Sequence, residues 1–539
     1  MDYKKIPEFD FKGIRRITIP KTDLDFTAEK DYGWNTIKKY LPNILTTHKE
    51  NERKIDYLYD YFLGIQDIRD KERTHDINKK NNHQEVENHA SRQVEFKVGF
   101  LCGEMRDYTH KSDSDSDDLT ILDRYFTDCK FYSKDADLKE WIYTTGIGVT
   151  KTTIRKDLFV TEEKGVFSKR QVTRVKGEKD GYNIQYQSPF KFELKDPRNN
   201  FVVYSSGDNE PLFDVSYVDV DVSKGDEEPT IQKRLMIETR YCVFVFDADK
   251  SFGLFYWNED TEVQRTPKDF HYLPLIEYSV NKDRIGIVEK NRSSFNTINL
   301  FRSATNDMIV DNSNAILVFK NVDIESEEVK EMRKAGAIII SDSQNARQGG
   351  IAGLETITIE IPLDKMATYL DQVMTNAYDI AGVPLASGQV TSGGDTGQAR
   401  LLGGGWNNAY IIIHKEIMKL LEFDYAQLEL FLMLCKQIPN CPLNELYPSQ
   451  VEINYRVNQN DNLLVRTQSM SNLYNMNCDY EYILKTCGTS NDIKTDAKKW
   501  ALRDETVKKS QVQTETPTQT TDNNSKKSDY KGLEKNPTK

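Results

Sequence analysis

The stretch from Ile287 to Asn312 is the feature that most limits the fold of this chain. One face of it carries mostly apolar residues at three- and four-residue spacing, which predicts an amphipathic helix; they are Phe295, Ile298, Phe301, Thr305, Met308 and Ile309. At 1.5 Å per residue the helix would be roughly 39 Å long. Its apolar face needs partners along that length, so we expect other long helices beside it.

The sequence after this helix predicts two such partners. A second helix is expected at 363–383, where Gly382 and Pro384 end it. A loop follows at 384–398, with four glycines, two serines and two threonines. A long helix at 399–439 then begins with a capping box and carries three consecutive glycines, Gly403, Gly404 and Gly405. Each glycine costs about 1 kcal/mol relative to alanine in a helix, so a kink is expected there.

The remaining segments predict a mixed α+β protein. The N-terminal part, 34–143, is mostly helical and includes a helix from His83 to Phe100. Alternating β-branched and aromatic residues predict a β-rich unit at 148–280, with Asn183–Gln187 among its strands. Residues 313–362 predict a small αβ unit, and 440–505 predict a smaller helical unit. The last residues, 506–539, are polar and are expected to be disordered.

The charge balance limits the possible partners. The chain has 539 residues, 73 Lys and Arg against 85 Asp and Glu, and a formal net charge of −12. This argues against a protein that grips DNA or RNA through a general cationic surface. Seven scattered cysteines without a CxxC pair indicate a reducing compartment. We expect no secretory leader and no membrane span.

The candidate metal and nucleotide motifs are incomplete. Asp113, Asp115 and Asp117 copy the start of a calcium loop, but Asp118 and Arg124 occupy the positions that require glycine and glutamate. After Gly397 the chain lacks the lysine and hydroxyl residue of a Walker loop.

On a helix His83 would pair with Glu87, and Glu85 with His89, as surface charge pairs rather than as a zinc site. No GxSxG marks a serine nucleophile. We therefore predict no enzymatic activity, no catalytic residue, no cofactor and no metal.

Several short motifs, in this order of elements, resemble the portal proteins of tailed bacteriophages. Tyr59–Ile65 (YDYFLGI) and Lys97–Gly103 (KVGFLCG) resemble the early helical region of that family, and Asp196–Tyr204 followed by Glu210-Pro211 resembles its wing strands. Leu273–Tyr278 (LPLIEY) resembles the lead-in to the stem helix. Thr396–Arg400 (TGQAR) is similar to the S-G-x-A-[LM]-K that opens the long helix, with threonine in place of serine.

The resemblance implies a portal fold of wing, stem, clip and crown. The wing would be 1–280 together with the kinked helix 399–439, the stem 281–312 and 363–383, the clip 313–362 and the crown 440–505. It implies a twelve-subunit ring at one capsid vertex of the virion, assembled in the host cytoplasm. Such a ring nucleates head assembly, docks the terminase motor, passes double-stranded DNA during packaging and ejection, and joins head to tail.

The resemblance also implies partners and functional residues. The partners would be the terminase large subunit, a head–tail adaptor protein, the major capsid and scaffolding proteins, and double-stranded DNA without sequence specificity; no membrane is implied. The tunnel loop would face DNA with Ser387, Gly388, Gln389, Thr391, Ser392, Gly393, Gly394 and Asp395. The clip would contact terminase or adaptor with Glu325, Glu327, Glu328, Lys330, Arg333 and Lys334, although a solvated helix face explains those charges equally well.

Two alternatives remain open at this point: a DNA-packaging or DNA-modifying enzyme, and a non-viral ring or scaffold protein. The missing nucleotide-binding motif disfavours the enzyme, and the Gly/Ser loop between long helices disfavours the scaffold. In a twelve-subunit ring the net charge would be about −144 (12 × −12). That charge suits a conduit through which DNA slides.

Overall fold

A computed structural model of the chain describes residues 10–21, 25–70, 82–111, 117–164, 170–221, 231–247, 263–312, 316–320, 327, 353–357, 362–385, 406–457, 463–487 and 493–514. The chain divides into two compact units, Met1–Gln459 and Asn460–Lys539. Helices and strands both contribute to the larger unit, which confirms the predicted α+β class.

The described residues form ten α-helices. Seven lie in the larger unit: α1 (Trp34–Phe62), α2 (His89–Cys102), α3 (Asp118–Asp128), α4 (Phe131–Thr145), α5 (Ile287–Asn312), α6 (Leu363–Ala381) and α7 (Trp406–Lys436). The smaller unit contains α8 (Leu463–Asn475), α9 (Tyr480–Cys487) and α10 (Ile493–Thr514). Helix α5 has the bounds predicted from its apolar periodicity.

Fifteen strands lie in the described part of the chain, all in the larger unit. They are β1 (Ile17–Ile19), β2 (Asp107–His110), β3 (Gly148–Ile154), β4 (Phe159–Lys164), β5 (Arg170–Val175), β6 (Phe190–Lys195), β7 (Asn200–Ser205), β8 (Pro211–Asp221), β9 (Ile231–Glu238), β10 (Cys242–Asp247), β11 (Gln264–Pro267), β12 (Leu275–Tyr278), β13 (Ile316–Lys320), β14 (Gly353–Ile357) and β15 (Val451–Asn454).

These strands form one large sheet and four small ones. The six-stranded sheet has the order β1-β7-β8-β9-β10-β11, and only its β1–β7 pair is parallel. The order β12-β3-β6 makes an antiparallel three-stranded sheet, and β13–β14, β15–β2 and β4–β5 are antiparallel pairs. The hairpin predicted between Tyr241–Phe246 and Gly253–Trp257 cannot be compared, since its second strand lies outside the described residues.

The apolar face of α1 covers one side of the six-stranded sheet. Trp34, Ile37 and Leu41 pack there with Val203 and Phe244 in one buried cluster. The indole of Trp34 stacks on the Phe244 ring at 4.8 Å between centroids. Helix α1 therefore joins the sheet to the helices that surround α5.

Helix α7 extends through two apolar cores. Its 31 residues span about 46 Å. Ala409, Ile413 and Leu420 belong to the core of α2, α4, α5 and α6. Further along, its residues from Leu428 to Cys435 join a second core with α3 and β15. One helix thus connects the core that contains the α5–α6 pair with the second core.

Two glycines allow the chain to enter α5 against the end of α4. Gly146 has a φ of +95°, and a Cβ there would lie 2.1 Å from the Arg284 carbonyl oxygen. A Cβ at Gly286 would lie 2.5 Å from the Thr144 carbonyl oxygen. Neither position can carry a side chain without moving backbone, so the start of α5 is fixed in place.

The structure corrects one predicted strand in the β-rich region. Residues 183–187 form a turn, because the Asn183 side chain accepts from the amide of Gln185 at 2.9 Å and the Asn183 carbonyl accepts from Tyr186. Asparagine favours such local turns over a sheet ladder.

Two predicted boundaries near the C-terminus also change. Residues 451–454 form β15, which pairs with β2 in the larger unit, so the segment 440–505 spans both units. Residues 506–514, predicted to be disordered, continue helix α10. Residues 515–539 lie outside the described part of the chain.

An aromatic cluster holds the smaller unit together. The Trp500 indole on α10 stacks on Tyr474 of α8 at 5.7 Å and contacts the Tyr480 ring at 5.1 Å. The Asp504 carboxylate accepts hydrogen bonds from both tyrosine hydroxyls, at 2.7 Å from Tyr474 and 2.5 Å from Tyr480. One carboxylate therefore ties three helices to each other.

We expect Asp504→Ala to destabilise the smaller unit by about 2 kcal/mol, since two hydrogen bonds to a charged group are lost. Hydrogen exchange should accelerate in peptides from 463–514 and stay unchanged in α1 and α5. Glu505→Ala removes an exposed carboxylate from the same helix and serves as the control. Equal acceleration in the two variants would contradict the assigned role of Asp504.

Candidate functional site

Helices α5 and α6 of the larger unit pack against each other. Phe295 and Ile298 of α5 lie in one core with Ala377 and Tyr378 of α6. Polar contacts add to this packing, because the Asn291 amide donates to the Ala377 carbonyl at 2.9 Å. The pair is thereby fixed along its shared length.

Helix α6 ends as the sequence predicts. Gly382 follows its last residue with a φ of +65°, the left-handed conformation typical of glycine after a helix. A Cβ at Gly382 would also lie 2.7 Å from the Ile412 side chain of α7. The glycine therefore both ends α6 and lets α7 approach closely.

The first half of α5 has a buried polar face directed at α1. Glu289 pairs with Lys54 at 3.2 Å, and both side chains are buried. Asn296 accepts from the Tyr61 hydroxyl at 2.9 Å and donates to Asp67 at 2.7 Å. Burial raises the pKa of Tyr61 well above its ordinary value. This half of α5 is therefore held by buried polar contacts as well as by its apolar core.

The second half of α5 binds an extended segment, residues 82–88, which we call the strap. Backbone amides of the strap donate to three α5 side chains: Glu87 to Asn299 at 2.9 Å, Glu85 to Ser303 at 2.9 Å and His83 to Asp307 at 3.0 Å. The predicted helix from His83 to Phe100 is thus wrong in its first six residues. Helix α2 begins at His89, with Asn88 as its N-cap.

The predicted pairs between His83 and Glu87 and between Glu85 and His89 do not form. The His83 imidazole instead lies 2.6 Å from Asp307. Because the strap is extended, the His89 imidazole lies 2.9 Å from the carboxylate two residues before it, Glu87. Glu87 also pairs with Arg302 of α5. These side chains fasten the strap to α5.

Helix α6 carries an acidic face opposite its packed side. Asp364, Thr368, Asp371, Thr375 and Asp379 recur at three- and four-residue spacing and are all exposed. We call these five residues the acidic face. Three carboxylates and two hydroxyls along about 22 Å of helix offer a surface that repels a polyanion.

Helix α5 carries an uncharged stripe that the described residues leave exposed or half-exposed. Ser293, Thr297, Leu300, Ala304 and Met308 share one side of the helix and are exposed or half-exposed. Leu300 and Met308 leave 37% and 44% of their surface in solvent. We call these five residues the α5 stripe.

A buried charge cluster positions α7 in the larger unit. Arg106 pairs with Asp135 of α4 at 2.8 Å and with Asp424 of α7 at 2.7 Å. Lys139 also pairs with Asp135, and the Tyr455 hydroxyl donates to Asp424. Burial alone would raise the pKa of Asp424, but the charges of Arg106 and Lys139 hold it below its usual range. We call these five residues the Arg106 cluster.

A second buried pair joins α2 and α7. The Lys97 amine, fully buried, lies 3.1 Å from Glu416, which also accepts from the Tyr143 hydroxyl at 2.9 Å. Burial lowers the pKa of Lys97, while the Glu416 charge opposes that change. Helix α7 is thus anchored by ion pairs in both of its halves.

Most of the predicted site residues lie outside the described residues. The eight tunnel-loop residues and Gly403, Gly404 and Gly405 fall within 386–405, and α7 is described from Trp406. Of the six clip residues only Glu327 is described. In the predicted clip, β13 and β14 pair with Ile316 opposite Ile357 and Lys320 opposite Gly353.

Neither the strap nor the Arg106 cluster was predicted from the sequence. The row Asn299, Ser303 and Asp307 repeats polar side chains every fourth residue beside the apolar face of α5. That spacing, together with the helix-capping residue Asn88, is the signal that could have revealed the strap. No comparable local pattern marks Arg106.

Among the described residues, no three His, Cys, Asp or Glu side chains are grouped to hold a metal ion. In that same part of the chain no helix is long and apolar enough to cross a membrane.

The comparison with protein families identifies the chain. A family model described as phage portal protein, SPP1 Gp6-like, matches residues 42–399, which run from within α1 through α5 and α6 to just before α7. No curated protein matches the chain. The matched residues cover well over half of the sequence and contain the α5–α6 pair, the strap and most of the six-stranded sheet. The chain therefore belongs to the family of SPP1 Gp6-like phage portal proteins.

Proposed function

We propose that this protein is the subunit of a twelve-membered portal ring at one vertex of a phage capsid. In this role it nucleates head assembly, docks the terminase motor, lets double-stranded DNA pass during packaging and ejection, and connects the head to the tail. The family match over residues 42–399 carries the proposal. The role is structural, with no chemical reaction assigned to the chain.

We assign the regions of the ring by their order along the chain. The α5–α6 pair is the stem, β13 and β14 belong to the clip, and 384–398 is the tunnel loop. The wing comprises the sheets and helices before α5 together with the long helix that includes α7. The crown is the smaller unit, α8 to α10. The clip charges from Glu325 to Lys334 would meet terminase and then the adaptor, and the capsid and scaffolding proteins would contact the outside of the ring.

The acidic face of α6 suits a channel wall. DNA carries one negative charge per about 1.7 Å of its axis, and a cationic surface would bind it tightly. Exposed Asp364, Asp371 and Asp379 would instead repel the DNA. Each subunit of the ring would contribute one such acidic face. DNA can pass through such a channel only if it adheres weakly to the wall. The net charge of −12 per chain agrees with this requirement.

The α5 stripe suits a contact between neighbouring subunits. Leu300 and Met308 are large apolar side chains on a helix whose other faces are occupied by α6, by α1 and by the strap. Ala304 between them, and Ser293 before them, are small enough for a second helix to approach closely. A ring places the same helix of the next subunit beside each stem, so a repeated contact along this stripe is possible.

The test is the assembly state of the protein. Twelve copies of a 62.4 kDa chain give rings of about 749 kDa with a central hole. We expect such rings in light scattering and negative-stain images, above all for protein taken from virions. The double variant Leu300→Asp/Met308→Asp should remain near the mass of one chain, because burying two unpaired carboxylates at every interface is unfavourable.

Met105→Asp is the matched control, since Met105 is 66% exposed and belongs to neither α5 nor α6. It should assemble like the wild type. A monomeric wild-type protein from virions would contradict the proposed ring. Rings formed equally well by the double variant would remove the α5 stripe from the interface and leave the ring itself intact.

A further inference from the structure

We infer that the strap, residues 82–88, detaches reversibly from the second half of α5. This local opening occurs while the rest of the larger unit stays folded. The opening is a property of the single chain and does not depend on the proposed function. In a ring, opening of the strap would let the second half of α5 shift, and this role does rest on the proposed function.

The strap and α5 match each other in repeat length. Two residues of extended chain advance by about 6.6 Å, and four residues of α-helix rise by 6.0 Å. The amides of every second strap residue therefore meet side chains one helical turn apart. The three distances are nearly equal, at 2.9, 2.9 and 3.0 Å from Asn299, Ser303 and Asp307.

The contact is polar on both sides, apart from the half-buried side chain of Val86 in the strap. Asn299, Ser303 and Asp307 are buried under the strap, although each is hydrophilic. No side chain of the strap is itself fully buried. Opening would thus expose groups that water can hydrogen-bond, with little apolar surface. The contact between α5 and α6, which buries Phe295, Ile298 and Tyr378, would remain.

The strap also has a fixed end. The Asn88 side chain donates to the Phe62 carbonyl at 2.8 Å and accepts from Gln66 at 3.0 Å and from the Ser91 amide at 3.3 Å. These contacts hold the start of α2 to the end of α1, and the bonds to Phe62 and Ser91 do so without using α5. An opening strap would therefore turn about Asn88 and leave α2 in place.

Release would free only part of α5. In the first half, Glu289 pairs with Lys54 of α1 and accepts from the Gly13 amide. Arg292 and Asn296 both contact Asp67. The half from Asn299 onward is held by α6 and by the strap, and at Asn299 itself also by Gln66, which accepts from the Asn299 amide at 2.5 Å. A closed strap thus couples α5 beyond Asn299 to the N-terminal helices, and an open one leaves Asn299 as the point where that coupling ends.

The experiment is hydrogen exchange on the full-length protein in increasing, sub-denaturing urea. Peptides covering 82–88 should exchange at least tenfold faster than those covering 291–299, and their rate should change little with urea, because opening exposes little surface. Exchange in α5 and α6 should rise steeply with urea. Strap amides that exchange as slowly as α5, with the same urea dependence, would overturn the inference.

A matched pair of variants tests the contact itself. Ser303→Ala removes the acceptor of the Glu85 amide and should speed exchange of the strap about five- to tenfold, the effect of one neutral hydrogen bond. Ser293→Ala makes the same change at an exposed position of α5 and should leave the strap unchanged. If Ser303→Ala accelerates α5 and α6 as much as the strap, the strap is part of the global fold and does not open separately. A failure to form rings would leave these exchange results unaffected.

Discussion

Arg106→Met is expected to lower the free energy of unfolding of the larger unit by about 3–5 kcal/mol, the range found when one partner of a buried ion pair is removed. The guanidinium is 3% exposed and lies between Asp135 and Asp424. Methionine fills much of its volume, so the cost comes from the carboxylates left behind. Urea denaturation of wild type and variant measures it.

The Asp424 charge should account for much of this loss. Arg106 is the nearest cation to Asp424, whereas Asp135 keeps Lys139 at 3.1 Å. The double variant Arg106→Met/Asp424→Asn removes the unpaired charge together with its partner. We therefore expect it to be more stable than Arg106→Met alone, since buried pairs can be replaced by neutral groups at little cost.

Arg15→Met provides the control. Arg15 is 58% exposed and pairs with Glu50 at 2.9 Å on the surface. An exposed pair contributes between 0 and about 1 kcal/mol, so this variant should stay close to the wild type. If Arg106→Met were no less stable than Arg15→Met, the Arg106 cluster would not anchor α7. Additive effects of Arg106→Met and Asp424→Asn would likewise contradict a direct pairing.

The helices were predictable because their signals are local. The bounds of α5 follow from apolar periodicity, and the end of α6 follows from Gly382 and Pro384, which act within a few residues. The order of these elements, with loose motifs such as Leu273–Tyr278, was enough to identify the portal family, and the family match confirms it.

The strap was not predictable in the same way. Residues 83–88 contain neither proline nor glycine, and their side chains, polar or charged except for Val86, are compatible with a helix. They are extended because α5, more than 200 residues further along the chain, supplies acceptors for their amides. Tertiary hydrogen bonds here outweigh local propensity. The Arg106 cluster has the same origin, since Asp424 lies 318 residues from Arg106.

A buried acid, Asp214, lies where the six-stranded sheet meets the three-stranded sheet. Asp214 of β8 is 1% exposed and accepts from the Leu275 amide of β12 at 2.9 Å. Its other oxygen has no hydrogen-bond partner within the described protein. Burial raises the pKa of Asp214 to about 8; the Leu275 amide opposes the rise, and the nearby charge of Glu238 adds to it.

This shift makes stability depend on pH in a defined direction. The pKa of Asp214 rises from 3.8 to about 8 on folding, so the folded state favours the protonated acid. The contribution of Asp214 to the free energy of unfolding is therefore most favourable below about pH 4. This contribution is lost as the pH rises towards 8. A shift of about four units corresponds to roughly 5 kcal/mol, as an upper bound.

Asp214→Asn should remove this dependence. The asparagine carbonyl can still accept from Leu275, and the side chain stays neutral at every pH. We expect the difference in unfolding free energy between Asp214→Asn and wild type to grow in favour of the variant by several kcal/mol from pH 4 to pH 8. Urea denaturation at both values measures it, and comparing the two proteins cancels the titration of all other groups.

Asp219→Asn makes the same change at an exposed position of the same strand, β8, and should follow the wild type at both pH values. If Asp214→Asn also follows the wild type, Asp214 is ionised in the folded protein. The cations near it, Lys151 and Lys268, would then have to compensate its charge. In that case the two sheets would be joined by an ion cluster, and Lys268→Met should destabilise them more at pH 8 than at pH 4.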